Sequence, residues 1–93
     1  VITGRKLEKV VVRKVDAWAK KHKVLSFILD YAGWPDRVYL LPNGAHVYIE
    51  FKRPGKAPRK LQSVRLGTLV DYKQKAYYCD NAAEAIKILK DSL

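Results

Sequence analysis

A chain of 93 residues that is 48% hydrophobic and 30% charged can bury one modest core but not two, and it lacks the composition of a disordered segment. Nineteen Lys and Arg against nine Asp and Glu give a formal net charge of +10, which points to a polyanionic partner, nucleic acid before anionic membrane. No apolar run approaches the roughly 18 residues of a spanning helix and no signal-peptide pattern opens the sequence, so no membrane partner is expected. The single cysteine, Cys79, excludes an intramolecular disulfide framework and a Cys-rich zinc site and fits a reducing, cytosolic compartment. His22 and His46 lack metal-ligand spacing.

From Leu7 to His22 the sequence predicts a helix, with Leu7, Val11, Val15, Trp18 and His22 on one face. The β-branched Val10-Val11-Val12 weakens its start. Val24 to Asp30 alternates as a strand, and the segment "VLSFILDYAG" around it reads as sheet core, with a dimer surface as the alternative. Arg37 to Leu41 and His46 to Lys52 form two strands of a hairpin around Asn43-Gly44, both of which tolerate positive φ. A basic Pro/Gly loop from Arg53 to Pro58 leads into a helix from Arg59 to about Tyr72, with Leu61, Val64 or Arg65, Leu69 and Tyr72 on its inner side. Lys75 to Cys79 is a fourth strand, with Cys79 as a plain buried thiol. Asn81 caps a last helix, with Glu84 as its capping-box partner. The order α-β-β-β-α-β-α with a hairpin predicts an α/β fold with a mixed central sheet flanked by helices.

Charge sits where core belongs. Along the third strand Val47, Ile49 and Phe51 point one way, and His46, Tyr48, Glu50 and Lys52 the other. Asp36 shares a face with Val38 and Leu40 on the partner strand, so the hairpin brings Asp36 near Glu50, at a register the sequence leaves open. Two adjacent carboxylates repel until one takes a proton or a cation neutralises both, and oxygen-rich acidic sites suit magnesium or manganese. Lys52, two residues from Glu50, would steady an attacking water or offset charge on a phosphate in transition. On the first helix Glu8 lies about 60° from Val11 and about 20° from Val15, inside the apolar stripe, where a carboxylate is costly unless paired or metal-bound. Plain alternatives stand beside this reading. Asp36 with Arg37 and Glu50 with Lys52 make ordinary surface ion pairs on a solvated face, Asp36 after Pro35 is a good turn residue, and Glu8 faces solvent if the helix starts late.

Pro35-Asp36 followed by Glu50-Phe51-Lys52 resembles the PD-(D/E)xK nuclease signature. Gly33-Trp34-Pro35-Asp36-Arg37, the later Pro54-Gly55 and Gln62, and the closing "KAYYCDNAAEAIKIL" resemble the VRR-NUC family within that superfamily, from about Glu8 onward. The resemblance implies a restriction-endonuclease-like core and a single VRR-NUC-like nuclease domain over residues 1–93. It implies a Mg2+- or Mn2+-dependent DNA phosphodiesterase in which Glu8, Asp36, Glu50 and the Phe51 carbonyl hold metal. Asp36, Glu50 and Lys52 act in catalysis, and Gln62 supports the site. Stand-alone phage and bacterial members look like homodimeric Holliday-junction resolvases, implying a bacterial or phage-infected cytoplasm and a four-way junction as partner. Fused eukaryotic members cut flap-like structures. Flap- or nick-directed cutting and a non-catalytic basic DNA-binding module are the alternatives.

Arg37, Arg53, Lys56, Arg59 and Lys60 flank the motif and are the candidate phosphate contacts, with Arg5, Lys6, Lys9 and Arg13 as a second cluster. Such contacts position DNA without reading bases. With no base-reading motif in the sequence, structure-selective binding is expected.

Overall fold

A computed structural model describes residues 4–93, with side chains from Leu7 onward. Its elements are α1 (Gly4–Lys21), β1 (Leu25–Ile28), β2 (Arg37–Leu40), β3 (His46–Phe51), α2 (Lys60–Asp71), β4 (Lys75–Cys79) and α3 (Ala82–Ser92), in the predicted order. The sheet runs β1-β2-β3-β4. Its first two pairings are antiparallel and β3 pairs with β4 in parallel, so the sheet is mixed. The parallel pairing requires a crossover, and α2 provides it.

The β-branched run does not delay α1. Val11 is buried and Val12 packs against the core, and that burial outweighs a propensity deficit of roughly 0.5 kcal/mol per residue. The inner stripe is Val11, Val15 and Ala19. His22 is exposed rather than in the stripe, since the helix ends at Lys21. Its ring stacks on Trp18 with centroids 4.2 Å apart.

The β2–β3 hairpin turns more widely than a two-residue Asn-Gly loop. Leu41 N–H donates to the Ala45 carbonyl at 2.8 Å, and Gly44 N–H to the Leu41 carbonyl at 3.0 Å. Gly44 is at φ +90°, while Asn43 is not among the positive-φ residues. A type I turn followed by one left-handed glycine gives a three-residue loop, Pro42 to Gly44. Asn43 instead uses its side chain, accepting Ala45 N–H at 3.0 Å.

One sheet face is closed by α1 and α3. Tyr39, Val47, Ile49, Phe51 and Cys79 from the strands meet Val11, Val15, Ala19, Ala85 and Leu89 from the helices. Burial, followed by the charges of Glu84 and Asp80, pushes the Cys79 thiol up to about 12, so it stays protonated and inert at neutral pH. The other face carries only α2, which packs on β4 and has no buried residue. Of the predicted inner residues, Arg65 and Leu69 are half-buried, joined by Leu66, while Leu61, Val64 and Tyr72 are exposed. Segment 24–33 likewise departs from the core reading. Val24 is buried, but Leu25, Phe27, Ile28 and Tyr31 are exposed. Leu25 and Phe27 share a face on the α2 side, where no helix lies over β1, and Ile28 lines the open cleft beside α1. At α3, Asn81 caps as predicted by accepting Glu84 N–H at 2.8 Å. The Glu84 carboxylate reaches the Asn81 side-chain amide at 3.4 Å rather than its backbone N–H.

Asp16 ties α1 to the sheet. It accepts the Tyr39 hydroxyl at 2.8 Å and the Ser26 hydroxyl at 3.1 Å, and it lies 3.4 Å from the Arg37 guanidinium. Burial first, then Asp16, drives the Tyr39 phenol upward, so it remains a donor. Asp16→Ala leaves that buried hydroxyl unpartnered, a cost of about 2–3 kcal/mol. Thermal unfolding should show a fall of about 10–20 °C for a chain of this size, and Asp16→Asn, which keeps one acceptor oxygen, a smaller fall.

Candidate active site

The register settles where the two carboxylates meet. Arg37 pairs with Ile49 and Val38 with Tyr48, so Asp36, one residue before β2, stands opposite Glu50. Asp36 also reaches across the strands, where its Oδ2 accepts the Phe51 N–H at 2.9 Å. This bond fixes the carboxylate against β3 at the point where β3 ends.

Glu50 is 2% exposed, the one buried charged side chain among the described residues. Its Oε2 is buried without a hydrogen-bond partner. Burial, and then the neighbouring Asp36 carboxylate, push the Glu50 acid up to about 8; Lys52 opposes the shift and Glu8 adds to it. Asp36, Lys52 and Glu8 therefore all lie close enough to act on Glu50. Glu8 is half-buried on α1 and shares a cleft of about 640 Å³ with Asp36, Phe51, Lys9, Arg13 and Arg37. Lys52 is half-buried at the end of β3, and its N–H donates to the Cys79 carbonyl at 2.9 Å.

Among the described residues no three carboxylate, imidazole or thiolate groups form a ready metal cage. The residues nonetheless fit a hard divalent cation. A buried carboxylate oxygen lacks a donor beside a second carboxylate, and magnesium typically takes one or two carboxylates and completes its shell with water and phosphate. A cation there would relieve both the repulsion and the orphaned oxygen.

The predicted phosphate contacts divide into two groups. Arg53, Lys56, Arg59 and Lys60 are exposed on the segment between β3 and the start of α2. Arg37 is half-buried and held by Asp16, on the cleft wall with the exposed Lys9 and Arg13. The Arg5 and Lys6 side chains lie outside the described residues. Gln62 is half-buried, and its Oε1 accepts the Arg59 N–H at 3.0 Å. That bond fixes the first turn of α2 beside the basic segment.

Two features escaped the sequence reading. Asp16 holds Arg37, and its signal was a second carboxylate eight residues after Glu8, about 80° around the helix. Arg65 lies over the Trp34 ring, 4.7 Å from its centroid. Gly33 beside it is at φ +81°, and a Cβ there would stand 2.9 Å from Leu61 Cδ2. The loop that delivers Asp36 is thus packed against α2, and Gly33 is favoured by its positive φ, while a Cβ there would displace the Leu61 side chain.

Among solved structures, one described as a VRR_NUC domain aligns with a TM-score of 0.81 over 89% of this chain and 94% of that chain, at 18% sequence identity. The chain has the VRR_NUC domain fold. No family model matches the sequence, and no curated protein does. With the VRR_NUC fold in place, Asp36, Glu50 and Lys52 gather where β2 begins and β3 ends.

Glu50 supplies a pH test of this geometry. Above about pH 4.3 the unfolded chain releases the Glu50 proton, while the folded chain keeps it until about pH 8. Without metal, wild type therefore loses stability across that window, and Glu50→Gln, which has no proton to lose, does not. In chelator the melting temperature of Glu50→Gln relative to wild type should rise from pH 4 to pH 8. A difference that stays constant across that range would contradict the buried, proton-holding state.

Proposed function

We propose that residues 1–93 act as one nuclease domain, a metal-dependent, structure-specific DNA endonuclease that resolves Holliday junctions as a homodimer. The observation that carries the reading is the buried Glu50 beside Asp36, with an orphaned oxygen and Lys52 adjacent, on a VRR_NUC fold. A bound Mg2+ or Mn2+ supplies positive charge at the scissile phosphate and acidifies a water. Asp36, Glu50, the Phe51 carbonyl and Glu8 are the groups to hold it. Lys52 orients the water that attacks phosphorus and offsets charge as the P–O bond to the leaving oxygen breaks. Gln62 keeps the start of α2 in place. Arg37, Arg53, Lys56, Arg59 and Lys60 take the flanking phosphates, contacts that give affinity without sequence choice.

The dimer reading draws support from the open sheet face. Leu25, Phe27 and Leu40 are 58%, 49% and 37% exposed, and the register sets them side by side with Val38. In a chain of net charge +10, these neighbouring positions carry no Lys or Arg. DNA finds no cation to bind there, whereas a second copy meets no repulsion. A two-fold pair supplies the two symmetry-related cuts that a four-way junction needs.

The decisive experiment incubates the protein with a labelled four-way junction, a flap and linear duplex, with Mg2+, Mn2+ or chelator. Paired symmetric nicks in the junction alone support resolution, whereas cutting of flaps keeps the nuclease and discards the resolvase. Asp36→Asn and Lys52→Ala should each lower the cleavage rate at least about a hundredfold and leave junction Kd in chelator within a few-fold. Binding without cleavage under either metal would leave a basic DNA-binding module. Phe27→Lys should shift sedimentation from dimer to monomer and replace paired cuts by single nicks. An unchanged sedimentation coefficient would remove this face as the interface.

A further inference from the structure

Tyr78 on β4 is paired with Glu50, and with Asp36 opposite Glu50 the three form one row across β2, β3 and β4. Their side chains project to the same face. Yet Glu50 is buried while Tyr78 is 45% exposed, so an aromatic surface stands open to solvent one strand away from the carboxylate pair. Beside it lies a notch of about 310 Å³, lined by Tyr78, Gly55, Lys56, Ala57, Asp80 and Glu84. That volume is at the small end of ligand-binding sites.

The notch is built rather than incidental. Lys56 N–H donates to the Arg53 carbonyl at 3.1 Å, closing the turn of the basic loop. Gly55 N–H donates to Asp80 Oδ2 at 2.9 Å, and the Asn81 amide donates to Asp80 Oδ1 at 2.9 Å. These bonds hold the Asp80 carboxyl below the usual carboxylate range, so it remains an acceptor. An aromatic ring and an ammonium thus line the same small space as two carboxylates.

We propose that Tyr78 and this notch form a subsite for an unpaired nucleobase next to the scissile phosphate. The inference rests on the nuclease reading of the Asp36–Glu50 face. An aromatic ring stacks on any base. Carboxylates accept from exocyclic amino groups, as they do from cytosine N4, and Lys56 takes the adjoining phosphate. A base inside a duplex has both faces stacked and its pairing edge occupied. The notch therefore admits a nucleotide that has left the stack, the kind found at a branch point. It is a recognition element for branched DNA separate from the basic residues, which grip any phosphate backbone.

Binding is measured in chelator, so cleavage is not required. A four-way junction carrying 2-aminopurine beside the branch is compared with the same sequence fully paired. Wild type and Tyr78→Phe should change the 2-aminopurine emission on binding, and Tyr78→Ala should not. Tyr78→Ala should also lose on the order of tenfold affinity for an oligonucleotide with unpaired bases and keep its duplex affinity. Equal losses on both ligands, or no emission change with wild type, would overturn the subsite. The wild-type emission reading holds even if Tyr78→Ala fails to fold. Absence of cleavage by wild type with Mg2+ or Mn2+ is a separate outcome that overturns the nuclease reading instead.

Discussion

The arrangement turns on a carboxylate kept out of water beside a second carboxylate, with one of its oxygens unpartnered. Burying an ionised Glu50 beside Asp36 is unfavourable in a chain with so little core to offset it. The protein meets that cost by holding the Glu50 proton up to about pH 8, with Oε2 left unpartnered. A cation placed there would remove that penalty as well as add an attraction. The Phe51 N–H bond to Asp36 prevents the simplest escape, rotation of the second carboxylate toward solvent.

Around that point the protein divides labour between its two sheet faces. The α1/α3 face holds the hydrophobic core and the Asp16 cluster, which orders Arg37 through an ion pair. The opposite face is thinly covered and presents polar, aromatic and open apolar surface. Asp36, Glu50 and Tyr78 project to that thinly covered face, while Glu8 and Arg37 stand on the α1 side.

Much of this was legible in the sequence, and the reasons differ by residue. Element order and the Asp36–Glu50 meeting followed from alternation and one hairpin signal, both local properties. The register did not, because Pro42-Asn43-Gly44 is compatible with loops of two or three residues, and the choice rests on one positive φ at Gly44. Asp16 was hidden because Ser26 and Tyr39 lie 10 and 23 residues away, and no periodicity marks an acceptor for distant hydroxyls. The inner side of α2 was read only in part, Arg65 and Leu69 but not Leu66, because its apolar residues are scattered around the helix. "LSFI" looked like core since apolar strands usually are; that no helix crosses β1 on the α2 side is a property of the whole topology.

The absence of buried side chains on α2 has a mechanical consequence. The helix is attached by neighbours near its start, Leu61 at Gly33 and Arg65 over Trp34, and by the half-buried Leu69 beside Tyr48. An element held this way lies toward the low end of a domain's opening free energies, and its amides exchange with solvent before those of the core. Arg59 and Lys60 sit at its first turn. The cationic rim on that side is thus mounted on a loosely held helix, while Glu50 stands on β3, paired on both sides.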